Sequence, residues 1–596
     1  MKSDRIVPEP PRLRPEDEES ASVWGFRDTR FEMLDDDVVR MTGERYELAG
    51  QDLPDLLAWV RDMIHPDIAA DNRNPPSYPP AIPEPQVNEA FVSAIGSFLG
   101  EDQVSDDAET RLRRGHGHTQ EEMFSIKYGR LARVPDLVVF PASDAEVTQL
   151  VQAAGQHDVC LIPYGGGTNV SNALRCPVDE ERMIVSVDLQ RMNRILWIDP
   201  ENRMACIQAG AVGRILAEQL AEHGFTLGHE PDSIEFSTMG GWIATHASGM
   251  KKNRYGNIED IVLDVTVVTT SGTLERPMVA PRESVGIGDA RRWIFGSEGG
   301  LGIVTQAVVK IFPLPEAQEY GSIIFPNLEK GVAFLFELTR KATPPASVRL
   351  VDNVQFQLSQ TLKPRSTGLK KLKSRLEKWF VLNVKGFDAD EMTACTLVFE
   401  GTREEVAAQQ QSVYRIARRH AGMNGGASNG KRGYQLTYGI AYLRDWILNH
   451  WLLAESFETS ASWTDALAVC NNVKRRLEEE HRKRNLPGKP FMSCRVTQVY
   501  PTGVCIYFYY AYYFKGVDNP SETFSAIEHA ARDEVLKSGG SLSHHHGIGK
   551  IRRDFLPRVL SPGMLEWEKE IKKAVDPGNV FGADNQGFAS AEGDSR

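Results

Sequence analysis

The chain reads Val159-Cys160-Leu161-Ile162-Pro163-Tyr164-Gly165-Gly166-Gly167-Thr168-Asn169, four apolar residues running almost directly into three glycines. The apolar run predicts a buried strand. The glycines behind it leave successive backbone N–H groups uncovered, because no Cβ shields them, and such a nest suits a pyrophosphate. One Gly-Gly-Gly alone is most often a plain tight turn. Three more stretches change that reading: Asp232-Ser233-Ile234-Glu235-Phe236-Ser237-Thr238 with Gly240-Gly241, Thr245-His246-Ala247-Ser248 with Gly249, and Glu298-Gly299-Gly300-Leu301-Gly302-Ile303-Val304. Their spacing is neither the GxGxxG of a dinucleotide fold nor the GxxxxGKS/T of a phosphate loop.

Strand and helix signals alternate on both sides of these loops. Residues 136–140 predict a strand. Ser143 with Glu146 predicts a capping box that opens a helix with Val147, Leu150, Val151 and Ala154 on one face. Strands follow over 184–187, 195–198 and 206–209, then a helix over 213–223 that Gly224 stops. Residues 1–20 are acidic and proline-bearing, which predicts disorder. Residues 56–64 predict a short helix, and 65–85 a proline-rich connector that cannot be helical. The expected organisation is α+β: an N-terminal region with short helices over 1–130, a nucleotide-binding domain over 131–315, a substrate-binding cap over 316–535, and a helical C-terminal segment over 536–596.

Composition excludes several classes. A net charge of −13 over 596 residues argues against a nucleic-acid binder. Seven scattered cysteines with no CxxC pair point to a reducing compartment, with neither a disulfide framework nor a zinc site. No run reaches the ~20 apolar residues of a membrane span, and 504–514 reads as a buried strand that puts Tyr507 and Tyr509 on one face and Tyr510 on the other. Residues 368–380, GLKKLKSRLEKWF, pair an apolar stripe with lysines and arginine. That pattern suits an interfacial helix or a solvated helix packed on the cap. His116 and His118 look like a metal pair but suit structural hydrogen bonding better.

Two C-terminal stretches carry the chemistry: Tyr500-Pro-Thr-Gly-Val-Cys-Ile-Tyr507, and Ser541-Leu-Ser-His544-His545-His546-Gly547-Ile-Gly549-Lys550. PYGGGTN, STMGGWIATHASG and FGSEGGLGIVT together resemble the FAD-binding domain of the vanillyl-alcohol-oxidase family. The resemblance implies a bipartite FAD-binding domain with a separate cap, and FAD held non-covalently by Pro163–Asn169, Asp232–Thr238, Thr245–Ser248 and Glu298–Val304. Hydroxy-acid dehydrogenases of this fold carry zinc on His-x6-His and Glu-His-Gly. Here those positions read Tyr500-x6-Tyr507 and His545-His546-Gly547, and phenols are poor zinc ligands at neutral pH. No metal is expected.

SVRLVDN (347–353), YGIAYLRDW (438–446), ESFETSASW (455–463) and SLSHHHGIGK resemble the alkyldihydroxyacetonephosphate synthase family over about 113–590. The resemblance implies exchange of the acyl chain of 1-acyl-dihydroxyacetone phosphate for a long-chain fatty alcohol in ether-lipid synthesis, without net redox, through a covalent flavin N5–substrate intermediate. It implies Tyr507 as acid/base, helped by His544, His545 and His546, with a phenol pKa lowered by cationic neighbours. Arg444 and Ser456 would bind phosphate, and Arg349 would order the flavin-facing wall. It also implies a peripheral membrane surface and a peroxisomal or glycosomal address, and leaves open a homodimer and an association with the pathway's acyltransferase. The Arg5-Ile6…Arg12-Leu13 spacing is a poor import signal, and Asp594-Ser595-Arg596 is not a peroxisomal tripeptide. The alternatives are a D-2-hydroxy acid dehydrogenase and an inactive FAD-binding scaffold.

Overall fold

The computed structural model describes residues 5–12, 14–34, 37–363, 383 and 385–588. The basic stretch 368–380 lies outside them.

The strand that ends in the glycine loop is Cys160–Tyr164. It pairs in parallel with Ile184–Asp188, which pairs in parallel with Leu137–Val139, and Val104–Ser105 closes the edge antiparallel. A second, antiparallel sheet follows in the order Gly272–Leu274, Val262–Thr269, Ile303–Lys310, Met204–Gln208, Ile195–Asp199. The helix Asp144–His157 buries Val147, Leu150, Val151 and Ala154, the face its periodicity predicts. Its cap is half of the expected box. Ser143 accepts from the Glu146 amide, but the Glu146 side chain turns back to the Ala142 amide. One apolar core joins both sheets. Val580 and Phe581 from the far C-terminus belong to it, and the Leu161 amide donates to the Val580 carbonyl at 2.7 Å.

The second half is built on a seven-stranded antiparallel sheet in the order Met423–Asn424, Ala317–Phe325, Thr393–Gly401, Ser347–Val351, Phe491–Val499, Gly503–Tyr513, Leu452–Ser462. Period-two alternation sorts Gly503–Tyr513 onto two faces. Ile506, Phe508, Tyr510 and Tyr512 pack among Phe457, Phe524 and Ile527. Tyr509, Ala511 and Tyr513 face the opposite cluster with Leu443 and Trp446 from the long helix Ala427–Leu448.

The N-terminal stretch departs from the expected disorder. The Ile6 amide donates to Ile198 O at 2.9 Å, and Arg5 lies 4.0 Å above the Trp197 ring. Asp17 bridges Arg45 and Arg214, and Glu19 pairs with Arg113. A small sheet of Phe31–Met33, Val39–Met41 and Asp52–Leu53 and the helix Leu56–Met63 follow. They pack on Tyr442, Leu443 and Trp446 of the long helix. This belt ties the two halves together. The Trp24 amide donates to Asp445 Oδ2 at 2.5 Å, and the Tyr46 hydroxyl to Glu235 Oε2 at 2.7 Å. All seven cysteines are buried and unpaired. Among the described residues no helix is long and apolar enough to cross a membrane.

Candidate active site

One continuous cavity runs between the halves. All of Pro163–Asn169 lines it, with Asp232, Ser233, Ser237, Thr238, Thr245, Ala247, Ser248, Glu298, Gly299, Gly302, Ile303 and Val304. The other residues carried over by resemblance point elsewhere. Ile234 packs into the core beside Gly213. Glu235 holds Tyr46, Phe236 stacks against Trp24 and Phe26, and His246 caps a helix at φ +55 and turns to Glu259. Gly300 lies under Phe588, and Leu301 is in the core.

The glycines are needed where they stand. A Cβ on Gly166 would lie 2.0 Å from the Phe236 carbonyl, and one on Gly167, at φ +66, 2.2 Å from the Tyr164 hydroxyl. Among the described residues, no protein acceptor receives the amides of Gly165 to Val170. Asn169 Nδ2 and Ser297 Oγ, both buried beside the cavity, also lack partners. A nest of unclaimed donors on glycine backbone fits a pyrophosphate. Residues 19–25 of the belt lie over Gly166–Thr168.

The reactive end is built on three neighbouring strands. Register aligns Glu458, Tyr507 and Arg495 across them. Tyr507 Oη lies 2.6 Å from His545 Nε2 and 3.1 Å from His546 Nε2. The histidines come from a loop, not a helix, and Glu458 shapes it. Its carboxylate accepts the amides of His544 at 2.5 Å, His545 at 3.2 Å and His546 at 2.9 Å, and the Ser543 hydroxyl at 2.7 Å. The following Gly-Ile-Gly docks the loop on the glycine-loop half. The Gly549 amide donates to Glu298 Oε2 at 2.6 Å, and a Cβ on Gly547 would lie 2.3 Å from Glu298 Oε1. Donor atoms of Glu458, Cys505, His544 and His545 lie within 4.8 Å of one another. The Glu458 oxygens are already engaged by four donors, and each imidazole nitrogen of that group has a protein partner.

The electrostatics correct one expectation. Burial pushes the Tyr507 phenol well above its usual range, with Asp232 adding to this, and the nearby Arg495 does not reverse it. Burial also lowers His544 to about 3, and His545 and His546 fall too. The cluster is therefore a neutral phenol among neutral imidazoles, not a phenolate among cations. Burial alone would raise Glu458, but the three imidazoles, once protonated in acid, and Arg552 around it hold it well below the usual carboxylate range.

Asp232 bridges two arginines, Arg349 at 2.9 Å and Arg495 at 3.2 Å. Arg349 also donates to Thr437. Arg495, which sequence reasoning missed, lies 4.9 Å and 5.1 Å from the ring centres of Tyr507 and Tyr509. Arg444 faces the cavity with Ser456, its guanidinium fixed by the His118 carbonyl at 2.7 Å. The His116 ring bonds the Gly117 carbonyl, while the His118 backbone amide donates to the Asn169 carbonyl and its ring lines the cavity with Nδ1 unpartnered. Glu455, also missed, lies 3.7 Å from Arg444, and burial raises it to about 7. The remaining arm of the cavity is apolar, with Trp59, Ile64, Leu358, Leu452 and Phe491.

Residues 135–276 match the FAD binding domain family, and residues 314–585 the C-terminal domain of FAD-linked oxidases. An alkyldihydroxyacetonephosphate synthase of Caenorhabditis elegans is 43% identical over 565 residues, 94% of each chain. The chain belongs to the alkyldihydroxyacetonephosphate synthase family. The synthase of Dictyostelium discoideum is 34% identical, covering 82% of this chain and 79% of its own. A solved alkyldihydroxyacetonephosphate synthase structure superposes with a TM-score of 0.83 at 29% identity, covering 96% of this chain and 99% of its own. Like its family, the protein is an FAD-binding enzyme of the vanillyl-alcohol-oxidase architecture.

Proposed function

We propose that the enzyme replaces the acyl chain of 1-acyl-dihydroxyacetone phosphate with a long-chain fatty alcohol, releasing a fatty acid and 1-alkyl-dihydroxyacetone phosphate. The observation that carries this is the contact of Tyr507 Oη with His545 Nε2 at 2.6 Å, in a cavity joined to the glycine loops. The glycine loop would hold the FAD pyrophosphate non-covalently. When bound, a reduced flavin supplies a nucleophilic nitrogen, N5, toward C1 of the substrate.

The chain's own groups do the rest. Tyr507 starts protonated, so it first hands its proton to an imidazole. His545 and His546 are neutral and can accept it. The phenolate then takes a proton at C1, gives a proton back to C1 once the alcohol has replaced the acyl group, and is restored to the phenol by the imidazolium. Arg444 offers the planar fork that a phosphate dianion needs, with Ser456 beside it. Arg349 and Arg495 are neutralised in part by Asp232 and serve as wall. The apolar arm takes the acyl or alkyl chain.

The test uses purified protein, labelled hexadecanol and palmitoyl-dihydroxyacetone phosphate. Tyr507→Phe is expected to lose roughly 10²- to 10⁴-fold in exchange with its flavin absorbance intact. Full activity in that variant removes the acid/base assignment. Flavin bleaching by D-lactate in the wild type favours a dehydrogenase instead. Peripheral membrane binding rests on the sequence of residues 368–380. Reversing the charges of Lys370, Lys371 and Lys373 is expected to reduce sedimentation with anionic liposomes, and unchanged sedimentation rejects that role.

A further inference from the structure

The phenol–imidazole contact at Tyr507 does not end there. His545 Nδ1 lies 2.7 Å from His544 Nδ1. His544 Nε2 lies 2.6 Å from Tyr500 Oη, which in turn lies 3.1 Å from Gln498 Oε1. Tyr507 and His545 line the substrate cavity, while His544 and Tyr500 line a second cavity on the other side of the loop. That second cavity reaches solvent: its His246 and Glu259 side chains are 49% and 38% exposed.

We propose that Tyr507, His545, His544 and Tyr500 form a proton wire from the substrate cavity to this second, water-facing cavity. The proposal rests on the exchange reading above. That reaction breaks the ester C–O bond at C1 and forms an ether C–O bond there, with no net electron transfer. The alcohol enters with its O–H proton, and the fatty acid leaves as a carboxylate at neutral pH. One proton per turnover therefore has to leave a site in which Tyr507 is 6% exposed.

The wire satisfies its hydrogens in a single direction. Two Nδ1 atoms in contact require one bare and one protonated nitrogen. The arrangement that satisfies every link is Tyr507 O–H to His545 Nε2, His545 Nδ1–H to His544 Nδ1, His544 Nε2–H to Tyr500 Oη, and Tyr500 O–H to Gln498 Oε1. A proton entering at Tyr507 shifts each link by one, and the Tyr500 hydroxyl, turning from Gln498 toward the second cavity, releases the displaced proton to water there. Return of the ring protons and rotation of the two hydroxyls reset it. Burial keeps both imidazoles neutral, which leaves each with a bare nitrogen to receive a proton. The charged groups around the wire are Glu458 beneath the loop, Asp232 and Arg552 near His545, Arg495 beside Tyr507, Glu259 near His544, and Lys252, whose Nζ lies 3.3 Å from the Tyr500 ring centre. The two tyrosines occupy the His-x6-His spacing, so residues that elsewhere in the fold hold a metal would here pass a proton.

Tyr500 lines the second cavity rather than the substrate cavity, with its hydroxyl beside Gln498, Asn257 and Ser248, so it is a relay residue. The test is Tyr500→Phe in the FAD-loaded enzyme, with His544→Gln as a second variant. Expected are a kcat about tenfold lower with unchanged KM for both substrates, a larger solvent deuterium isotope effect, and partial rescue by millimolar imidazole as an external proton carrier. A proton inventory on the wild type is expected to curve, because several protons move together. Wild-type kinetics in both variants overturn the wire. So does a loss that neither changes the isotope effect nor responds to imidazole, since that is a structural defect. If Tyr500→Phe does not fold, a linear wild-type inventory with unaltered His544→Gln still overturns it. A wild type that exchanges no alkyl chain at all sinks the exchange reading and the wire with it.

Discussion

Glu458→Gln isolates what holds the histidine loop. Among the described residues, Glu458 Oε2 accepts only the His544 amide, at 2.5 Å, while Oε1 receives Ser543, His545 and His546. A glutamine keeps its carbonyl where three donors converge and turns its NH2 toward the His544 amide. One charge-assisted bond of ~1.5–3 kcal/mol is lost, and a buried donor without an acceptor costs a further ~1–3 kcal/mol. A net loss of about 3 kcal/mol is roughly a hundredfold in local opening. Hydrogen exchange of the segment 541–549, followed by mass spectrometry on the flavin-loaded enzyme, reads this directly: the three histidine amides are expected to exchange roughly a hundredfold faster. The pH sign follows from the depressed Glu458 carboxyl. Its contribution is present above the usual carboxylate range of ~4.3 and is lost as pH falls through the lower folded value. The difference between wild type and variant therefore persists at neutral pH and narrows in acid. Exchange within twofold of wild type at pH 7 would refute the claim that this carboxylate organises the loop.

Other outcomes follow from the phosphate end. Arg444→Lys keeps the charge but loses the fork, and is expected to raise KM for acyl-dihydroxyacetone phosphate about tenfold or more (~1.5–3 kcal/mol) while leaving KM for hexadecanol unchanged in steady-state kinetics. Glu455, raised to about 7, is neutral below that pH and charged above it, where it competes with phosphate for Arg444 3.7 Å away. KM is expected to rise several-fold above about pH 7 in the wild type, by roughly 1 kcal/mol, and to stay flat in Glu455→Gln. Ionisation of the substrate phosphate near ~6 works in the opposite direction, so a pH-KM profile separates the two.

What the sequence made legible was whatever is written locally. A strand passing into three glycines names a phosphate nest, and period-two alternation placed Tyr507 and Tyr509 together and Tyr510 behind them. What it hid depends on register. Arg495 and Glu458 flank Tyr507 only because the strands 452–462, 491–499 and 503–513 pair as they do, and nothing in any one strand states its neighbour's alignment. Of the loops carried over whole, Ile234, Glu235, Phe236, His246, Gly300 and Leu301 do not line the cavity, because their partners in the core and the belt lie far along the chain. The direction of the Tyr507 shift was also out of reach, because the depth of burial that sets it is a property of the packed cap. The N-terminal belt looked disordered because Arg45 and Arg214, which bridge Asp17, lie far along the chain from it.

That belt has a kinetic consequence. Residues 19–25 roof the triple glycine, and Trp24 is pinned by Asp445 on the long helix. Whatever the glycines grip cannot slip out sideways while this roof is down. Release is then expected to wait on the opening of this roof rather than on any single contact beneath it, and a prosthetic guest to survive dilution that would strip an uncovered cleft.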